Sequence, residues 1–331
     1  MKKVMKFMVV GMLSLGLISL AGCKSGSGAE KTKDDKAIIY TNADEEPVKA
    51  MEKALDENGF KGKYLVQSLG TSELGGKLLA EGKNLEADIV TMSTFYLDSA
   101  EEKNKFLEKL DVSVKPLQVT TGYTLPLTVQ EGVVFYNTKA LKEAGINPPK
   151  SLKDLAKPEY AGQLSISDIK QSSTAWLLFQ GLIDTYGEDE AKTILAKIYE
   201  NAGDHIEASG SGPLKKVKVG EVAIGYGLRH QAVAAKKAKD PIDYVEPSEG
   251  TYNLTESIGI LNKGQSKEKM ADLQKMVAII LTTGRKEIIT YYPSALYEEE
   301  KTDGLEIAKD QKVYSEKLTP ELLAKHQGMV E

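Results

Sequence analysis

The sequence predicts an α/β protein of two lobes joined by long extended segments. Three observations carry that prediction. Runs rich in β-branched and aromatic residues alternate with runs of helical apolar spacing, the pattern of parallel strands linked by crossover helices. Two longer extended stretches, 123–137 and 252–264, interrupt the alternation. About 295 residues follow a polar segment that ends at residue 36, enough for two separate cores.

The N-terminus is read apart from the fold. Lys2, Lys3 and Lys6 precede an apolar run from Met8 to Leu20, the layout of a secretory signal and short for a membrane span. The run ends in Leu20-Ala21-Gly22-Cys23, which resembles a bacterial lipobox, with cleavage before Cys23 and lipid on that cysteine. Cys23 is the single cysteine of the chain, so no disulfide framework is expected. Residues 24–36 hold no large apolar side chain and read as a flexible linker between lipid and domain.

From residue 36 the elements follow in order. "KAIIYTN" (36–42) is a strand, and "PVKAMEKALDENG" (47–59) a helix with Val48, Met51 and Leu55 on one face and Gly59 at its end. A second strand (62–69), a second helix (71–84), a third strand (87–92) and another helical stretch from Ser93 complete the first set. The extended stretch 123–137 carries Pro126 and Gly132. Ser151 and Asp154 then resemble a capping box. "QLSIS", a helix from residue 172, "DEAKTILAKIYENAG", "HIEAS", "GPLKKVKVGE" and "VAIGYG" form a second α/β set. After the return strand 252–264, Met270, Leu273, Met276, Val277 and Ile280 recur at helical spacing. The expected division is a first lobe of 37–128 plus 253–331 and a second lobe of 129–252.

Composition narrows the function. Without residues 1–22, which hold three lysines and no acid, 40 basic residues face 48 acidic ones, a net charge of −8. That balance disfavours nucleic acid, and no basic amphipathic helix suggests a membrane surface. No G-x-S-x-G elbow, H-E-x-x-H or paired-cysteine metal motif supports the alternative of an exported hydrolase.

The lipobox, "VVFYNTKALKEAGINPPKSLKDLAKPEYAGQLSISD", "GPLKKVKVGEVAIGYG" and "GTYNLTESIGILNKG" together resemble the substrate-binding lipoproteins of bacterial ABC importers, in their ferric-iron, thiamine and phosphonate branch. The resemblance implies a two-lobe periplasmic-binding-protein-like fold of type II, with crossing hinge strands and a central cleft. It implies a non-enzymatic monomer without cofactor, tethered to the outer face of the cell membrane by its lipid. The partners it implies are a permease and, through it, an ATPase subunit.

In open α/β sheets ligands sit beyond the C-terminal strand ends, where helix starts favour anions. Five starts are candidates: Asn42 with Asp44, Thr71 with Ser72, Ser93 with Thr94, Ser172-Ser173-Thr174, and Ser209 with Ser211 around Gly210. All are also ordinary capping residues. The last two stand out, because three hydroxyls exceed one cap and the glycines let amides approach a ligand. The ferric relatives carry adjacent tyrosines at the strand ending here in Tyr226. This chain has one tyrosine there, followed by Gly227, Leu228, Arg229 and His230. Arg229 is expected to attract a phosphonate, phosphate or carboxylate and to disfavour a cation. His230 is a further contact, and Glu249 could pair with an ammonium group. The expected solute is anionic or zwitterionic, an organophosphonate or phosphate ester such as 2-aminoethylphosphonate. The alternative is ferric iron at Tyr226 and His230.

Overall fold

A computed structural model describes residues 36–331. The expected signal, Cys23 and the expected linker up to residue 35 lie outside the described residues. The strands are β1 (Ala37–Thr41), β2 (Tyr64–Ser68), β3 (Ile89–Ser93), β4 (Leu107–Glu108), β5 (Leu125–Asn137), β6 (Leu164–Ser167), β7 (Ile206–Glu207), β8 (Ile224–Leu228), β9 (Ile242–Val245), β10 (Thr251–Leu261) and β11 (Gln311–Lys312). The α-helices are α1 (Glu45–Leu55), α2 (Thr71–Glu81), α3 (Thr94–Asn104), α4 (Thr138–Ala144), α5 (Ser173–Tyr186), α6 (Glu188–Ala202), α7 (Gly212–Val219), α8 (Arg229–Lys237), α9 (Lys267–Ile279), α10 (Arg285–Tyr291) and α11 (Pro320–Gln327).

Neighbouring strands run in the order β2-β1-β3-β10-β5-β8-β6-β7. On one wing β1 pairs in parallel with β2 and β3. On the other β6 pairs in parallel with β7 and β8. The two long strands join the wings, and β10, β5 and β8 are successively antiparallel. β5 changes partner along its length: Leu125–Glu131 lies against β10, and Gly132–Tyr136 against β8. Gly132 is required at this crossover, because a Cβ there would fall 2.0 Å from the Tyr226 hydroxyl. The register of β10 on β5 also slips between Glu256 and Ser257, skipping Leu127. Pro126, which has no N–H to give a ladder, is accommodated at this bulge.

Several elements differ from their expected bounds. α1 starts at Glu45, before Pro47, because Glu45 and Glu46 suit the positive end of the helix. "HIEAS" yields only the two-residue β7. Beside the cleft, Phe95 of α3 meets Trp176 of α5 edge to face, with ring centroids 5.1 Å apart. The apolar core is thereby continuous from one wing to the other. Trp176 is fully buried and donates its indole N–H to His326 Nδ1 of α11 at 2.8 Å. α5 carries apolar residues around its circumference and is buried along most of its length. It therefore positions its own N-terminus firmly. Among the described residues no helix is long and apolar enough to cross a membrane.

Candidate functional site

The parallel strands of each wing end where helices begin, and four helix-start segments meet at one small cavity between the wings. It is lined by Asn42 and Asp44 after β1, Gly70 and Thr71 after β2, Ser172, Ser173 and Thr174 at α5, and Ala208, Ser209 and Gly210 before α7. Leu69, Gln130, Gln171, Leu228 and Glu256 complete it. Its volume is about 150 Å³. That is smaller than the roughly 300 Å³ at which sites for drug-sized ligands begin, with room for on the order of ten water-sized atoms.

The second-lobe wall is made of amides and hydroxyls. Ser172 caps α5, its Oγ accepting from the Thr174 N–H at 3.3 Å. The next helical amides have no partner one turn earlier and carry the positive end of the helix dipole. Gly210 presses against them: a Cβ there would lie 2.1 Å from Thr174 Oγ1 and 3.3 Å from Ser172 Oγ. Only glycine lets the loop before α7 close on the start of α5.

The first-lobe wall is acidic. Asp44 precedes α1 but makes no side-chain cap. Its Oδ2 instead accepts from Tyr292 Oη at 3.1 Å and from Gln231 Nε2 of α8 at 3.2 Å. His230 Nε2 stands 3.6 Å from the same oxygen, and the His230 ring lies against Tyr292 with centroids 4.0 Å apart. Burial alone would raise the Asp44 carboxyl, but His230, Tyr292 and Gln231 outweigh it and hold it below the usual range. Glu256 is 5% exposed in β10, opposite the β5 bulge. Its carboxylate accepts from Asn42 Nδ2 at 2.9 Å, Gln130 Nε2 at 3.1 Å and Thr128 Oγ1 at 3.3 Å. Here burial prevails over these hydrogen bonds and pushes the carboxyl upward. Among the described residues no lysine or arginine lines the cavity.

The remaining expected site residues lie elsewhere. Arg229 is 1% exposed and does not reach the cavity. Its Nε donates to Glu246 Oε1 at 3.1 Å and its Nη1 to the Glu306 carbonyl at 2.7 Å, with Glu131 Oε2 at 3.7 Å. A guanidinium so enclosed fastens the segment around Glu306 to the second lobe, with its charge already met by Glu246 and Glu131 and its side chain buried away from the cavity. Glu249 is likewise buried and accepts from the Leu152 and Lys153 N–H groups and the Tyr186 hydroxyl. It anchors the turn after Ser151, so the expected ammonium partner is structural. Tyr226 is buried behind Gly132, off the cavity, where burial first and the Glu249 charge second raise its phenol far above the usual value. Ser93 is buried, and Thr94 donates to the Thr255 carbonyl at 3.0 Å beside a different, larger cavity. Ser72 Oγ bridges the wings by donating to the Lys170 carbonyl at 2.7 Å. Ser211 stands at the N-cap position of α7 without a side-chain capping hydrogen bond, and lines a pocket outside the cleft.

Sequence reasoning passed over Glu256 and Gln130, which sit inside long strands with no local motif. The signal was the polar interruption itself: "TVQEG" and "LTESIG" set charged or amide side chains in strands that are otherwise apolar.

Comparison with known proteins places this architecture. The pattern of the family described as bacterial extracellular solute-binding protein matches residues 48–275. The spermidine/putrescine-binding periplasmic protein of Escherichia coli is 25% identical over 271 residues, 76% of this chain and 75% of that one. The structure of iron-bound HitA from Pseudomonas aeruginosa superposes with a TM-score of 0.70 at 21% identity, covering 89% of this chain and 98% of that one. The periplasmic binding protein AfuA from Actinobacillus pleuropneumoniae, with fructose-6-phosphate bound, gives 0.64 at 22% identity, over 76% and 83% of the two chains. Two wings joined by crossing strands, with helix starts facing a shared cleft, are thus the fold of periplasmic binding proteins, which are non-enzymatic transport components. With more than half its length matched, this chain belongs to the bacterial extracellular solute-binding protein family, whose members work with ABC permease and ATPase partners.

Proposed function

We propose that this protein captures a small solute bearing a phosphonate or phosphate-monoester group and delivers it to an ABC permease. The observation that carries the reading is the convergence of the α5 start and the Ser209–Gly210 loop on one cavity, with hydroxyls at Ser172, Ser173, Thr174 and Ser209. Amides and hydroxyls suit tetrahedral oxyanions without a fixed cation. The fructose-6-phosphate bound by AfuA shows a protein of the same fold holding a phosphate monoester. The small volume favours a compact molecule such as 2-aminoethylphosphonate. Closure of the two wings around it would present one surface to the permease. The protein acts as a monomer tethered by lipid on Cys23, a point checked by the release of a Cys23→Ser variant into the soluble fraction.

A second reading, ferric iron, draws on the carboxylates of Asp44 and Glu256 and on the likeness to iron-bound HitA. It loses the tyrosinate expected at Tyr226, which keeps its proton off the cavity. Thermal-shift screening against phosphonates, phosphate monoesters, thiamine, diamines and ferric salts separates the readings. Stabilisation by a phosphorus compound is expected. A shift with ferric ion and none with any phosphorus compound overturns it.

A further inference from the structure

Glu256 is a buried carboxylate at the cavity for which the oxyanion reading gives no use. Among the described residues no lysine, arginine or histidine forms an ion pair with it. Its donors, Asn42, Gln130 and Thr128, are all neutral. The two amides have consequences beyond the carboxylate. Each gives an N–H to Glu256, Asn42 giving another to Thr71 Oγ1 at 3.0 Å, and its own carbonyl oxygen, Asn42 Oδ1 or Gln130 Oε1, is buried with no donor among the described residues. Gln130 itself is 7% exposed. Asn42, Gln130 and Glu256 all line the cavity, which therefore has a corner rich in acceptors, with the Thr71 hydroxyl beside it. The opposite wall, Ser172–Thr174 and Ser209–Gly210, offers donors.

Charge sharpens the asymmetry. Among the described residues, Asp44 and Glu256 are the only ionisable groups lining the cavity. Asp44 is engaged by Tyr292, Gln231 and the neighbouring His230, whereas Glu256 faces no cation among the described residues. A solute that is only an anion meets two carboxylates there and no fixed positive charge. A solute that is only a cation leaves the helix starts unused. An ammonium group brings three donors and a positive charge to the Glu256 corner, while an oxyanion at the other end takes the α5 start.

We infer that Glu256, with the carbonyl oxygens of Asn42 and Gln130, recognises a primary ammonium group, so that the solute is a short zwitterion with an amine at one end and a phosphonate or phosphate at the other. This rests on the oxyanion reading of the second-lobe wall and adds a discriminating residue to it. A polar site that loses its partner rejects the analogue more strongly than an apolar one does, because its groups are left buried and unpaired.

The test is a calorimetric titration of the full protein with 2-aminoethylphosphonate and with ethylphosphonate, which lacks only the amine. The wild-type protein should bind the amino compound at least 10-fold more tightly. In Glu256→Gln, checked for folding by thermal unfolding, the ratio of the two affinities should fall to about one. Equal affinity of the wild type for both compounds overturns the ammonium inference and leaves the oxyanion reading standing, without recourse to any variant. A Glu256→Gln protein that keeps the full preference overturns it as well. Binding of neither phosphonate, with tight binding of putrescine or ferric ion, overturns both readings.

Discussion

The two walls of the cleft are built by different means. The second-lobe wall is local: Ser172, Ser173 and Thr174 are consecutive, and Gly210 rests on them so closely that no other side chain fits. The opposite wall is assembled from distant strands, with Asn42 following β1, Gln130 in β5 and Glu256 in β10 opposite the β5 bulge, 214 residues from Asn42. One wall donates and the other accepts. On the proposed reading, the contrast teaches that helix starts would supply generic affinity for an oxyanion, while long-range strand pairing would supply discrimination.

Substitutions can break this division. The largest effect is expected away from the cavity. Arg229→Ala removes the cation held among Glu246, Glu131 and the Glu306 carbonyl and leaves Glu131 buried without it. Breaking such a buried network costs about 3–5 kcal/mol, visible in urea unfolding. Full stability with lost solute binding would instead return Arg229 to the cleft. Next, Gly210→Ala should weaken solute binding about 10-fold or more, because overpacking at the Thr174 contact costs roughly 1–3 kcal/mol. Unchanged affinity in a titration would mean that the loop can retreat and that the walls are not tightly joined. Ser172→Ala removes the α5 cap and should cost about 1 kcal/mol of stability, with a drop in affinity for any oxyanion.

A smaller effect concerns pH. The Glu256 carboxyl is raised by burial, so the folded protein holds this proton more tightly than the unfolded chain. Its contribution to stability is therefore greatest at low pH and declines as pH rises from the ordinary carboxylate range through the raised value. Glu256→Gln removes that decline. The ligand-free variant should be more stable than the parent at neutral pH, and the difference should shrink on acidification. A difference that grows on acidification would mean that the carboxylate is stabilised in place.

How much of this was legible in sequence follows from the same contrast. The fold was legible because hydrophobic alternation is local, and the two long strands announced themselves by length. The α5 and Gly210 wall was legible because its residues are neighbours of a helix start. Arg229 misled because its partners, Glu131, Glu246 and Glu306, come from three separate segments, and a lone arginine after a strand does not show whether it is already paired. Glu249 misled for the same reason, since the amides it satisfies lie almost a hundred residues earlier. Glu256 stayed hidden because its place depends on a register slip between β10 and β5 and on amides brought in by β1 and β5.

The most direct measurement is a crystal structure of the protein with 2-aminoethylphosphonate. The account places the phosphonate oxygens within hydrogen-bond distance of the Ser172–Thr174 segment and Gly210, and the nitrogen at Glu256 with Asn42 and Gln130. A phosphonate lodged elsewhere, or one reversed so that its oxygens face Glu256, would contradict it.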